Sequence, residues 1–397
     1  VLFKTTHFDS SLSKTLTMAV TVVAEQTLQI HRIPQSKYID AVRWLPPLSA
    51  FDRFAVLAIF DSNSDASSVE IHALNRSNPL NLTPQSRWVS PSRISSLKVS
   101  HSFHKPLVAA STFAGSLHVL FTDLLEASLE SEVSVPENSL HVGPISCIDL
   151  QESGSECVSV GEDGRVNLVS IGDSKLNSRR VFDSKGIVSY TAAKWASPAE
   201  FATGGLGFSL QWWDQRKPGG PVSQFKGHRA QSTSSGITHS IDIHPSRKHT
   251  CLAGGSSGTV FAWDLRWQQQ PIILSGVVTG GATAYSLSES EVWEVQYDSY
   301  MHSSNVGNIS SLRILPVMIC SEDGILAVVE QGEEPIELNE TITSGIEMMK
   351  NSGYKWNPSA IQGEDCVQFV GVEATCHDLG RWTDQCTVVF VGESACI

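Results

Sequence analysis

Three groups of residues in the 397-residue chain have side chains that could do chemistry. His239, His244 and His249 stand five apart in THSIDIHPSRKHT, which alternates as a strand and turn. Strand alternation sends residues five apart to opposite faces, so these imidazoles do not converge on an ion and are expected at the surface or as caps. Cys366, Cys376, Cys386 and Cys396 recur every ten residues, whereas zinc sites draw ligands in pairs two to four apart. The glycines of GGLGFS (Gly204 to Ser209) match a phosphate loop only in composition. LQWWDQ after them reads as a strand, and the phosphate needs a helix N-terminus. No zinc-protease helix, nucleophile elbow or Walker loop is read in the chain. The expectation is a non-enzyme with no catalytic residue, no cofactor and no metal.

The elements that position these residues repeat. Cys251 to Arg266, CLAGGSSGTVFAWDLR, is an apolar run, a small-residue turn and an alternating run closed by Trp263-Asp264. Glycine suits a tight turn, and β-branched and aromatic residues suit a pleated surface, so it reads as a hairpin. Gly227-His228 lies upstream, and GH followed by WD is the fingerprint of a WD40 blade. Glu200 to Arg216 repeats the pattern with Trp213-Asp214, and four weaker copies lack the tryptophan. The residues aligned with Trp263 are His72, Leu120, Val169, Trp213, Trp263 and Val329, at steps of 48, 49, 44, 50 and 66. A four-stranded blade takes about 40–45 residues plus loops. The fold class is therefore all-β, a WD40 β-propeller with seven blades expected, six of them recognisable and the last atypical or incomplete.

Three segments follow: residues 1–17, a disordered leader or non-native upstream segment; residues 18–345, the propeller; and residues 346–397, a divergent tail forming either an irregular last blade or an aberrant C-terminus. The run VTVVAEQTLQIHRI, Val20 to Ile33, is expected as a strand that completes the sheet begun by the C-terminus. The acidic stretch LLEASLESEVSVPE reads either as a short helix or as an edge strand. Cys147, Cys157, Cys251 and Cys320 sit in apolar strands as small hydrophobes. A net charge of −13 argues against direct nucleic-acid binding. No run of about 18 apolar residues is present to insert in a membrane.

The structural residues of the motif are His228, Trp213, Asp214, Trp263 and Asp264. A buried indole N–H needs a partner, which WD blades supply from a strand hydroxyl, the GH histidine and a turn aspartate. Here the set looks incomplete. Ser257 takes the aspartate's slot in one blade, and the blades with Asp163 and Asp323 have Val169 and Val329 in place of tryptophan. Apolar packing is expected to carry most blades.

Val158 to Leu168 (VSVGEDGRVNL), Ala253 to Arg266 with Pro271-Ile272, Glu291 to Val295 (EVWEV) and Cys320 to Gly324 (CSEDG) follow in an order that resembles the WD-repeat nucleoporins of the Y-shaped outer-ring scaffold of the nuclear pore. The resemblance implies a non-enzymatic seven-bladed propeller at the nuclear pore complex in the nuclear envelope. Its partners would be other outer-ring nucleoporins, and its role would be pore assembly and thereby mRNA export and protein transport. The segment before Met18 has no counterpart in that family, and from about Tyr354 the family's last blade is absent. WDQR (Trp213 to Arg216) and WDLR (Trp263 to Arg266) also resemble the WDxR signature of cullin-4 ubiquitin ligase substrate receptors, in which Arg216 and Arg266 would dock on the ligase adaptor. Both arginines read equally as strand-end residues pairing locally.

Overall fold

The computed structural model describes residues 30–35, 37–46, 53–74, 82–100, 105–225, 236–245, 247–264, 272–275, 290–297, 317–322, 326–331, 346–348, 370–373 and 386–391. Of these, β1 (Ile30–Gln35) belongs to the last sheet. The first sheet is β2 (Tyr38–Trp44), β3 (Arg53–Asp61), β4 (Ala66–Leu74) and β5 (Leu82–Ser90). The second is β6 (Ile94–Val99), β7 (Leu107–Thr112), β8 (Leu117–Asp123) and β9 (Ser128–Val135). The third is β10 (Cys147–Leu150), β11 (Glu156–Val160), β12 (Arg165–Ile171) and β13 (Leu176–Asp183). The fourth is β14 (Tyr190–Ser197), β15 (Glu200–Gly205), β16 (Leu210–Asp214) and β17 (Ser223–Phe225). The fifth is β18 (Thr238–Ile243), β19 (Thr250–Gly255), β20 (Val260–Asp264) and β21 (Ile272–Ser275). The sixth is β22 (Val292–Tyr297), β23 (Val317–Ser321), β24 (Leu326–Gln331) and β25 (Ile346–Met348). In each the strands pair antiparallel in sequence order, so every sheet is a blade of the expected propeller.

Alternation explains why one run of apolar residues serves two interfaces. In β7 all six residues are buried. Val108 and Ala110 pack toward the first sheet with Val56, Val69 and Ile71, while Leu107 and Ala109 pack toward the third with Ile145, Ile148 and Cys157. The core is thus a series of wedges between successive sheets, and similar wedges join the third to the fourth, the fourth to the fifth and the fifth to the sixth. A strand buried on both faces loses the polar half of its alternation. That is why the second strands of the blades read as continuous apolar runs.

Among the described residues the seventh sheet has three strands, in the order β1, β27 (Cys386–Val391), β26 (Val370–Glu373). β26 lies against β23 of the sixth sheet and β2 of the first, so the ring is closed. N- and C-terminal segments share this sheet, with Ile30 opposite Val391 and Gln35 opposite Cys386. Pro34 has no N–H for a ladder and sits in β1, the outer edge strand, where proline is tolerated. Of the expected strand 20–33, residues 20–29 lie outside the described residues, as do 1–17. The segment 346–397 supplies β25, β26 and β27, and the remainder of it lies outside the described residues. The acidic stretch forms the edge strand β9, with a turn at Leu124–Ala127, and no helix.

Candidate functional site

The residues that sequence singled out belong to the framework, and the geometry shows how. In the fourth blade Phe201 faces Trp213 and Thr203 faces Gln211. Trp213 is almost fully buried, stacks on Phe201 with centroids 5.8 Å apart, and donates its indole N–H to Thr203 Oγ1 at 2.9 Å. In the fifth blade Cys251 faces Trp263 and Ala253 faces Phe261. Ala253 therefore takes the place that Thr203 holds in the fourth. The Trp263 indole N–H, equally buried, is left without a hydrogen bond. Ala253→Ser should return an acceptor and raise stability by about 1 kcal/mol, read as a higher urea midpoint at unchanged slope.

The third blade, which lacks the tryptophan, holds a polar network beside the apolar packing expected to carry most blades. His141 is fully buried. Its Nδ1 lies 2.9 Å from Asp163 Oδ1, and its Nε2 lies 2.7 Å from Ser159 Oγ and 3.1 Å from Asn167 Nδ2. An amide NH2 only donates, so Nε2 must accept, and the imidazole is the neutral tautomer with its proton on Nδ1. Burial pushes the His141 pKa down, against the pull of Asp163. Burial also pushes Asp163 up, but donations from His141, Val142 N–H and Arg165 N–H outweigh it and hold the carboxyl below its usual range. Asn167 faces Ser159 across the strands, so an amide joins the set in a blade that lacks the tryptophan. The sequence signal is a histidine 22 residues before the turn aspartate, spelled LHVG rather than GH.

A second polar set lines the innermost strands. Arg43, Lys98, Asp149, Lys194 and Asp242 occupy equivalent positions on β2, β6, β10, β14 and β18. Lys98 approaches Asp149 at 3.5 Å, Lys194 approaches Asp242 at 3.2 Å, and Arg43 reaches Glu294 of β22 at 3.1 Å. Each pair joins two blades. The two aspartates also accept backbone N–H groups from the next blade, Trp195 N to Asp149 and Tyr297 N to Asp242, both at 2.8 Å. Asp242 beside it raises the Lys194 ammonium above its usual range in spite of burial.

The remaining expectations resolve residue by residue. His228, Arg266 and the side chain of Ser257 lie outside what the structure describes. Asp214 accepts three hydrogen bonds from Arg216, from Nε at 2.7 Å, Nη2 at 2.9 Å and the backbone N–H at 3.0 Å. These hydrogen bonds hold its carboxyl down to about 2. Arg216 also lies 3.5 Å from Glu200, so it pairs locally at its strand end. Asp264 is half-buried at the end of β20. His239 and His244 correct the surface expectation. His239 stacks on Trp293 at 4.4 Å and pairs with Glu291 at 2.8 Å, His244 is buried edge-on against Tyr297 at 5.0 Å, and His249 lies against Trp212 at 6.3 Å.

Among the described residues no group of three or more His, Cys, Asp or Glu could hold a metal. Cys157 and Cys251 are buried thiols, Cys251 pushed up to about 12 by burial. The spelling GxSxG does occur, at Gly254–Gly258, contrary to the reading above. It forms a hairpin turn between β19 and β20, where Ser256 Oγ accepts the Ile237 N–H at 2.8 Å. A nucleophile elbow leads from a strand into a helix.

No protein-family model matches the chain. The nuclear pore complex protein NUP43 of Arabidopsis thaliana is 57% identical over 328 residues, covering 79% of this chain and 89% of that protein. The chain belongs to the Nup43 family. Nucleoporin Nup43 of Mus musculus is 26% identical over 56% of this chain and 54% of that protein, and Nup43 of Homo sapiens is 28% identical over 47% and 44%. A solved chain of the COPII outer coat vertex on membranes superposes with a TM-score of 0.56 at 14% identity, over 76% of this chain and 74% of that one. That likeness speaks for the propeller fold alone. In this chain Asp149 and Asp242 tie neighbouring blades together, and His141 and Trp213 are bonded inside their own blades.

Proposed function

We propose that this chain is a non-enzymatic scaffold propeller of the Y-shaped outer-ring complex of the nuclear pore. It resides at the nuclear envelope and supports pore assembly, and through it mRNA export and nucleocytoplasmic protein transport. It does so by binding other outer-ring nucleoporins, with no direct nucleic-acid contact and no membrane insertion. The observation that carries this reading is the 57% identity to Arabidopsis NUP43 across 89% of that protein's length. The chemistry agrees, because His141, Asp163, Trp213, Asp149 and Asp242 are engaged inside or between blades and are not presented to a substrate.

The ligase-receptor reading is not favoured, since the Arg216 guanidinium is turned onto Asp214 and Glu200 of its own blade. The test is a fluorescently tagged chain carrying Arg216→Ala and Arg266→Ala. The scaffold reading expects the same nuclear-rim signal as the unsubstituted chain. A rim signal lost together with binding of the cullin-4 adaptor would overturn it.

A further inference from the structure

The strand order sends every turn between the second and third strands of a blade, and every connection from one blade to the next, to the same end of the ring. Eight large apolar side chains are exposed among the described residues, and six of them lie at that end: Val89, Phe113, Val142, Ile187, Leu206 and Trp293. Leu125 and Val222 lie at the other. Single exposed hydrophobes need no explanation, whereas a contiguous set marks a docking surface.

These residues are contiguous through their loops. The Phe113 N–H bonds Arg93 O at 3.0 Å, and Gly115, two residues on, packs so closely on Gly143 O that a Cβ would clash. The Val142 N–H donates to Asp163, and the Gly186 N–H bonds Asp163 O at 3.1 Å. The Leu206 N–H bonds Ser189 O at 3.3 Å, and Leu206 bridges to Ile237. His239, two residues later, stacks on Trp293. An arc thus runs from the first blade to the sixth. It is held by backbone hydrogen bonds, so the apolar side chains at its tips are presented on a fixed frame. Ile187 is 87% exposed, so the apolar surface is not tucked back into the fold.

The charges at this end identify the partner's chemistry. Among the described residues of these turns, Asp65, Glu137 and Glu162 are exposed carboxylates, against one exposed cation, Lys185. The other described cations nearest these turns are committed: Arg93 to Asp40 at 2.6 Å, Arg165 to Asp163 and Asp183 at 3.4 Å, and Lys37 to Asp61 at 3.6 Å. An acidic rim around apolar tips repels a second copy of itself and attracts an apolar segment flanked by lysine or arginine. We infer that the loop end bearing Phe113, Val142, Ile187 and Leu206 is the docking surface for an outer-ring nucleoporin, through a segment of apolar side chains with basic flanks. This rests on the scaffold reading above.

The test is affinity purification of the full tagged chain from nuclear extract. The unsubstituted chain is compared with Phe113→Asp/Ile187→Asp/Leu206→Asp, with Asp65→Lys/Glu137→Lys/Glu162→Lys, and with the opposite-end control Leu125→Asp/Val222→Asp. Urea midpoints certify that each is folded. Recovery of outer-ring nucleoporins should fall about tenfold or more in the apolar variant. It should fall by a lesser factor that shrinks with added salt in the charge variant, and hold in the control. Full recovery with the first two variants, or loss only with the control, overturns the surface and leaves the scaffold reading standing. An unsubstituted chain that recovers no outer-ring nucleoporin overturns the scaffold reading, and the surface with it. A dimer in sedimentation that Phe113→Asp dissociates would make a second copy the occupant and overturn the choice of partner.

Discussion

Replacing His141 by alanine should destabilise the protein by about 3 kcal/mol, one of the largest single-residue effects in the chain. The imidazole is fully buried and joins four elements: the loop before β10, Ser159 on β11, the turn at Asp163 and Asn167 on β12. Alanine would leave Asp163 with fewer donors, and would leave the Ser159 hydroxyl and the Asn167 amide without this partner in a space too dry to replace it. Urea unfolding should show a lower midpoint with unchanged slope.

The same variant should flatten the pH dependence of stability. The folded pKa of His141 lies below the ordinary imidazole value because of burial. As pH falls below about 6.5 the unfolded chain therefore takes up a proton that the folded chain refuses, and stability drops until the folded value is passed. Asp163, held low in the fold, adds a loss that begins only nearer the ordinary carboxylate range. His239, also lowered by burial, would keep part of the slope between pH 7 and 5 in the variant. An unchanged slope would mean that His141 takes up its proton in the fold as readily as in the unfolded chain, in conflict with burial and with the Asn167 donor beside Nε2.

Replacing Asp242 by alanine should cost about 2–3 kcal/mol. Two groups lose their partner together, the Lys194 ammonium at 3.2 Å and the Tyr297 backbone N–H at 2.8 Å. Lys194 remains a third exposed, which keeps the effect below that of a fully dry pair. Asp242→Asn retains an acceptor for Tyr297 and should recover part of the loss. Lys194→Met on the Asp242→Ala background should recover another part, and the double-mutant cycle yields the coupling. Strict additivity would show that Lys194 is solvated and that Asp242 acts through its contact with the Tyr297 backbone alone.

How legible these features were follows from how local they are. The hairpins with Trp213 and Trp263 are written in alternation and small-residue turns, which act over about fifteen residues, and the structure has them as β15 to β16 and β19 to β20. The apolar strands carrying Cys157 and Cys251 were legible for the same reason, since a strand buried on both faces shows as a run. His141 was not, because its partners lie 18 to 26 residues away and its spelling departs from GH. The pairs Arg43 with Glu294 and Lys194 with Asp242 join strands from different blades, so no local pattern announces them. The three-stranded seventh sheet rests on pairing residues near 30 with residues near 390, which periodicity within either segment cannot supply. The consequence of Ala253 appears only once its register against Phe261 is known.

The scaffold role is tested most directly by mild-detergent affinity purification of the tagged chain and identification of its stoichiometric partners. Other outer-ring nucleoporins should be recovered in near-equal amounts. Recovery of the cullin-4 adaptor without pore proteins would contradict it and return Arg216 and Arg266 to the centre of the question.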